Sequence, residues 1–242
     1  MTRATPRSGL MPRRAQLGAT AAIAVALVVM GPAHADEPSA AEHLLFNAPH
    51  LSPLKPPTQL HYRYDETEAG QAKPSDVVRM QLERDSQGAC CAVTGQFLTG
   101  AQALSLPDID AARANPVLLY FLEFEVRRLA RTTGGNASHF RRRIREALVT
   151  ASVTPARITW QGRDIAASEV QVTPFENDPF RARFEAQAGT RYRFLVADDV
   201  PGMLFQLSAT VPGRAAGDPP QRVDQLTLTP VAAPATAKTR QP

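Results

Sequence analysis

The amino-acid sequence predicts an α+β fold: a curved, meander-like antiparallel sheet with a two-helix hairpin packed on one face. Three observations carry this. Stretches of period-two alternation begin at Gln59 and return after Pro155. Apolar residues at helical spacing fill the interval between them. A Gly-Gly-Asn turn at 134–136 divides that interval into two helices.

The first 35 residues read as a secretory signal peptide. Arg3, Arg7, Arg13 and Arg14 precede an apolar run from Leu17 to Met30, and Ala33-His34-Ala35 forms a small-x-small cleavage site before Asp36. The expected product is secreted, periplasmic, without a lipid-anchoring cysteine at its start and without a transmembrane segment once the signal is cut. The leader also carries the chain's apparent basicity. Of 27 basic residues it holds four, against none of the 23 acidic ones, so 23 of each remain and the net charge falls to zero. That removes the electrostatic ground for a nucleic-acid partner.

Residues 36–58 read as a Pro-rich arm over the surface. A short amphipathic piece, Ala40 to Phe46, gives way to Pro49, Pro53, Pro56 and Pro57. Residues 59–229 are read as one domain, and 230–242, rich in Ala, Thr and Pro, as a disordered tail.

Within the domain, Leu60, Tyr62 and Tyr64 alternate with His61 and Arg63, and Val78, Met80 and Leu82 alternate with Arg79, Gln81 and Glu83. Both are half-buried antiparallel strands, with Asp65 to Asp76 as their connection and Cys90 to Leu98 as a third strand. Asn115-Pro116 reads as an N-cap followed by a proline at the first helical position, and Gly134-Gly135 as a left-handed stop. Leu118, Phe121, Leu122, Val126 and Leu129 form the inner stripe of that helix. Asn136 caps a second helix with Phe140, Ile144, Ala147 and Leu148 on one face. The later strands are Ile158 to Trp160, Ile165 to Thr173, Phe180 to Phe184, Arg191 to Val196, Met203 to Val211 and Val223 to Leu228.

The only cysteines, Cys90 and Cys91, are adjacent. Consecutive Cα atoms lie about 3.8 Å apart across a trans peptide, shorter than the roughly 4.4–6.8 Å that disulfides prefer. This favours one buried and one half-exposed thiol over a vicinal disulfide acting as a redox switch or rigid turn. An intermolecular bridge is the third reading.

Four groups invite a functional reading. On the helical hairpin, seven arginines (127, 128, 131, 141, 142, 143 and 145) face three glutamates. Arg141, Arg142 and Arg145 are the candidate anion or partner patch, with a solvated helix face as the plainer account. Glu125 falls on the apolar side of its helix, so it needs a partner, which Arg128 or Arg143 can supply; a structural pair is favoured over a carboxylic acid poised in a cleft. Glu176 to Asp178 with Asp198 and Asp199 offer oxygens for calcium, but read more simply as turns. His43, His50, His61 and His139 form no ligand set. No metal, cofactor or catalytic residue is nominated, and the chain leans away from an enzyme.

The segments NPVLLYFLEFEVRRLARTTGG (115–135), HFRRRIREAL (139–148), PFENDPFRARF (174–184) and GTRYRFLVADDVPG (189–202) resemble those of an uncharacterised secreted protein family of Proteobacteria, a likeness that transfers no functional residue. In layout, the chain is also similar to the lipoprotein-carrier type of periplasmic fold. That likeness implies an open, curved sheet covering an apolar cavity with helices.

The leading expectation is therefore a periplasmic binding or accessory protein for an apolar small molecule or lipid. Its cavity would lie between the sheet (Tyr62, Tyr64, Met80, Trp160, Phe194) and the hairpin (Phe121, Leu122, Phe140), with Glu125 beside it. The alternatives are a structural partner of an envelope complex docking through the arginine patch, and an envelope hydrolase working through Glu125, Asp178 or Asp198.

Overall fold

The computed structural model describes residues 37–105 and 107–230. The expected signal peptide and most of the expected tail lie outside them. The described chain begins with a short helix α1 (Ala40–Glu42), whose Ser39 and Glu42 form a reciprocal capping box, and runs on into a π-helical turn, His43–Asn47. Three strands and a short hairpin arm follow: β1 (Thr58–Glu68), β2 (Gln71–Ala72), β3 (Asp76–Arg84) and β4 (Cys90–Phe97). Next come α2 (Val117–Thr133) and α3 (Ala137–Val149). Five strands complete the chain: β5 (Val153–Trp160), β6 (Arg163–Val172), β7 (Arg191–Val196), β8 (Leu204–Val211) and β9 (Arg222–Thr229).

All strands join one antiparallel sheet in the order β4-β3-β1-β9-β8-β7-β6-β5, with β2 paired to β1. The sheet is open, with β4 and β5 at its edges. Two meanders meet where the last strand returns to pair with the first. The chain must therefore pass from one edge of the sheet to the other, and the α2–α3 hairpin makes that passage. α2 lies against β8, α3 against β6, and α1 against α3. This is the α+β arrangement that the alternation and the helical stripe predict. No helix among the described residues is long and apolar enough to cross a membrane.

Each helix ends as its residues dictate. Asn115 Oδ1 accepts from Val117 N–H, one position beyond Pro116, which already has helical dihedrals. Gly134 closes α2 at φ +65°, a left-handed conformation that favours glycine. Asn136 caps α3 by accepting from Ser138 N–H. Both inner stripes are buried in one continuous core, along with the strand residues Leu60, Tyr62, Tyr64, Val78, Met80 and Leu82. Each large apolar side chain moved from water into such a core contributes about 1.5–3 kcal/mol.

Four expectations are corrected. Asp65 to Asp76 is not a simple connection: β1 continues to Glu68 because β9 pairs with it out to Arg222, and the chain turns at Ala69-Gly70, both at positive φ. Phe180 to Phe184 is not a strand. Asp178 Oδ1 accepts from Phe180 N–H, and a 3-10 turn follows at Arg181–Arg183, folding Phe184 onto Phe140 and Phe175. The N-terminal arm does not merely lie over the surface, since Ala41, Leu45, His50 and Leu51 are buried in it. Cys90 and Cys91 are joined to each other. They form a vicinal disulfide in place of two thiols.

Candidate functional site

The inward positions of β1 run Leu60, Tyr62, Tyr64, Glu66, and those of β9 run Leu228, Leu226, Asp224, Arg222. Register sets Glu66 directly opposite Asp224, and Glu68 opposite Arg222. Two carboxylates thus face each other on the covered side of the sheet, where like charges repel. α2 supplies the counter-charge. Its Arg128 donates to Asp224 at 2.7 Å, to the Tyr64 hydroxyl at 3.0 Å and to Glu66 at 3.4 Å. The same guanidinium sits 4.7 Å from the Phe124 ring centroid. One turn earlier on α2, Glu125 accepts from Arg222 at 2.8 Å, and Arg222 Nε also donates to Asp224. Lys73, just after β2, closes the outer end by donating to Glu66 at 2.7 Å.

Four carboxylates and three cations thus share one ionic cluster, since Lys73 also meets Glu68 at 2.6 Å, and all but Lys73 and Glu68 are buried. Burial of this kind is tolerable only because the charges are paired and hydrogen-bonded. The pairing is uneven. Asp224 accepts from Tyr64, Arg128 and Arg222, and Glu66 from Lys73, Arg128 and Gln102. Glu125 accepts from Arg222 alone, and its Oε1 is buried without a partner, as is the hydroxyl of Tyr192. Burial, then the charge of Asp224, raises the Glu125 carboxyl to about 7 against the pull of Arg222 and Arg128. Burial, then Asp224, also pushes the Tyr64 phenol well up. For Glu66, burial is the largest influence, but Lys73 and Arg128 outweigh it and hold the carboxyl below its usual range.

Glu66, Glu68, Arg128 and Arg222 of the cluster line a cleft of about 590 Å³, within the size range of small-molecule sites. Arg127, Arg128, Arg131 and Arg222 line one part of it. Ala101, Ala103, Leu104 and Phe124 supply apolar wall.

The structure separates the residues nominated from sequence. Tyr64 and Glu125 belong to this cluster. Tyr62 does not: its hydroxyl donates to Leu204 O at 3.1 Å and accepts from Asn115 Nδ2 at 2.8 Å. Phe121 is in the solid core, and Trp160 packs edge-on against Phe205 at 6.2 Å. Arg141 is engaged by Glu123 through two nitrogens, Arg142 reaches His139 and Glu146, and Arg145 is exposed. Cys90 and Cys91 open β4, an edge strand distant in the sheet order from β9.

Neither expected partner holds Glu125. Arg128 turns to Asp224, and Arg143 to Asp178 and Glu146. Asp178 is buried among Phe180 N–H, His139 and Arg143, so its oxygens are engaged by protein donors. Among the described residues no cluster of three or more His, Cys, Asp or Glu is placed to hold a metal.

Sequence reasoning missed Glu66, Arg222 and Asp224. The signal was present in the phase of each strand. Continuing the alternation of Tyr62 and Tyr64 puts Glu66 inward, and the alternation of Leu228 and Leu226 puts Asp224 and Arg222 inward.

No protein-family model matches the chain, and no curated protein matches it. Among solved structures it is similar to the lipoprotein LppX of Mycobacterium tuberculosis, at 11% identity, with 73% of this chain and 90% of that chain covered and a TM-score of 0.30. At that identity and superposition the likeness tells nothing of ligand or chemistry.

Proposed function

We propose that this is an exported binding protein whose ligand is an anionic amphiphile, a small molecule with one acidic group and an apolar body. The cleft beside α2 carries the reading: four arginines line it together with Ala101, Ala103, Leu104 and Phe124, and they outnumber the two carboxylates there, Glu66 and Glu68. Guanidinium groups recognise carboxylate, sulfonate and phosphate oxygens through paired N–H donors, and apolar wall accepts a hydrocarbon body. This moves the binding site from the sequence-expected cavity. The aromatic residues expected to line that cavity, Tyr62, Tyr64, Phe121 and Trp160, are buried in the core and line none of the clefts described. Export is supported by the leader pattern of Arg3 to Ala35.

Calorimetric titration with decanesulfonate tests the reading. One-to-one binding is expected, weakened at high salt and weakened at least about tenfold when Arg127 and Arg131 on the cleft wall are both changed to Gln, as charge-assisted bonds of about 1.5–3 kcal/mol are lost. Absence of saturable binding, or binding indifferent to these two arginines, would overturn it.

A further inference from the structure

We propose that anion binding in this cleft is coupled to proton uptake by Glu125, with Arg222 as the shared group. The inference rests on the binding reading above and adds its regulation. Arg222 is both part of the cleft lining and the sole hydrogen-bond donor to Glu125, at 2.8 Å. An anion that draws on this guanidinium competes with the carboxylate that already holds it. The surrounding cluster sets Glu66, Glu125, Asp224 and the more exposed Glu68 against Lys73, Arg128 and Arg222, so acids already outnumber bases by one. A further negative charge widens that excess, in surroundings where screening is weak.

A proton offsets the added charge, and geometry selects where it goes. The groups facing Glu125 are Arg222 and Asp224 from β9, Arg128 from its own helix, Glu66 from β1 and Tyr192 from β7. Asp224 holds three donors in Tyr64, Arg128 and Arg222, and Glu66 three in Lys73, Arg128 and Gln102. Glu125 holds one, and its buried Oε1 is without a partner. Protonation of Glu125 therefore gives up the fewest charge-assisted bonds. It turns Glu125 from acceptor to neutral acid, and Arg222 is released toward the ligand. The carboxyl is already raised to about 7, chiefly by burial and next by Asp224, so the proton is within reach near neutrality. By reciprocity, a proton on Glu125 favours the anion as much as the anion favours the proton.

The sign follows. Binding with proton uptake strengthens as pH falls and weakens as pH rises through and above neutrality. Decanesulfonate suits the test because its own charge is constant. Titrations at pH 7 in imidazole and in Bis-Tris, two buffers of different ionisation enthalpy, give the number of protons taken up. Up to about half a proton is expected for the native protein, since the carboxyl is about half protonated at pH 7 before the anion binds, and close to none for Glu125→Gln, which still binds. Between pH 6.5 and 8.5 the native association constant should fall by up to about tenfold per unit. That slope serves alone if Glu125→Gln does not fold. Binding with no proton uptake, or with uptake unchanged in Glu125→Gln, overturns the coupling and leaves the cleft reading standing. No binding at all overturns both.

Discussion

Removing Arg128 and Asp224 together should destabilise the protein far less than the sum of the two single losses. Arg128 is nearly covered and meets Asp224 at 2.7 Å, the Tyr64 hydroxyl at 3.0 Å and Glu66 at 3.4 Å. Arg128→Met keeps much of the stem but strands two buried carboxylates. Breaking one side of a buried ion pair costs about 3–5 kcal/mol. For a domain of this size that lowers the midpoint of thermal unfolding by roughly 6–20 °C. Asp224→Leu strands Arg128 and part of Arg222 instead, at a similar cost of about 3–5 kcal/mol. The double variant buries neither orphan. It should cost no more than the worse single change, which makes the coupling energy at least about 2–3 kcal/mol.

The assay is urea unfolding followed by tryptophan fluorescence. Trp160 is the chain's single tryptophan, 5% exposed, and reports the core without any label. If the two single losses add to within about 0.5 kcal/mol, the two groups do not act as a pair, and the cluster reasoning fails.

Three further outcomes are expected. Glu125→Gln should gain stability relative to the native chain as pH rises from 5 to 8, measured by thermal unfolding. The native carboxyl binds its proton up to about 7 when folded, but gives it up near 4.5 when unfolded, so its contribution is full below the lower value and lost through the higher one; a constant difference would contradict this. His50 has the opposite sign. Its Nδ1 accepts from Asn115 N–H while Nε2 faces Leu44 O, and burial holds its pKa below 6.5, so its penalty sets in as pH falls through 6.5 and should vanish from the pH profile of His50→Gln. Gly202→Ala should cost about 1–3 kcal/mol, because the residue has φ +69° and a Cβ would meet Leu60 Cδ1 at 2.7 Å and Asn115 Nδ2 at 2.9 Å; a change in stability below about 0.5 kcal/mol would show that this close approach is easily relieved.

The sequence by itself determined the local elements. Period-two alternation at Leu60 to Tyr64 and Val78 to Leu82, the apolar stripe from Leu118 to Leu129, and the stops at Gly134 and Asn136 all describe residues within a few positions of each other. The structure carries them as β1, β3, α2 and α3. The same locality made Glu125 conspicuous, since a carboxylate on an apolar stripe is an anomaly visible within two turns of helix. Its partner was a different matter. Arg222 lies 97 residues away, and only the return of β9 to β1, in the register that sets Glu68 opposite Arg222, brings it under α2. The sequence-expected partners Arg128 and Arg143 lay close at hand, but tertiary structure turned each to another acid. Phe180 to Phe184 shows the same limit from the other side: alternation alone suggested a strand, and packing of Phe184 on Phe140 and Phe175 decided a turn. Periodicity records which face of an element avoids water. Which charges meet on that face depends on strand order and register, and those are properties of the assembled sheet.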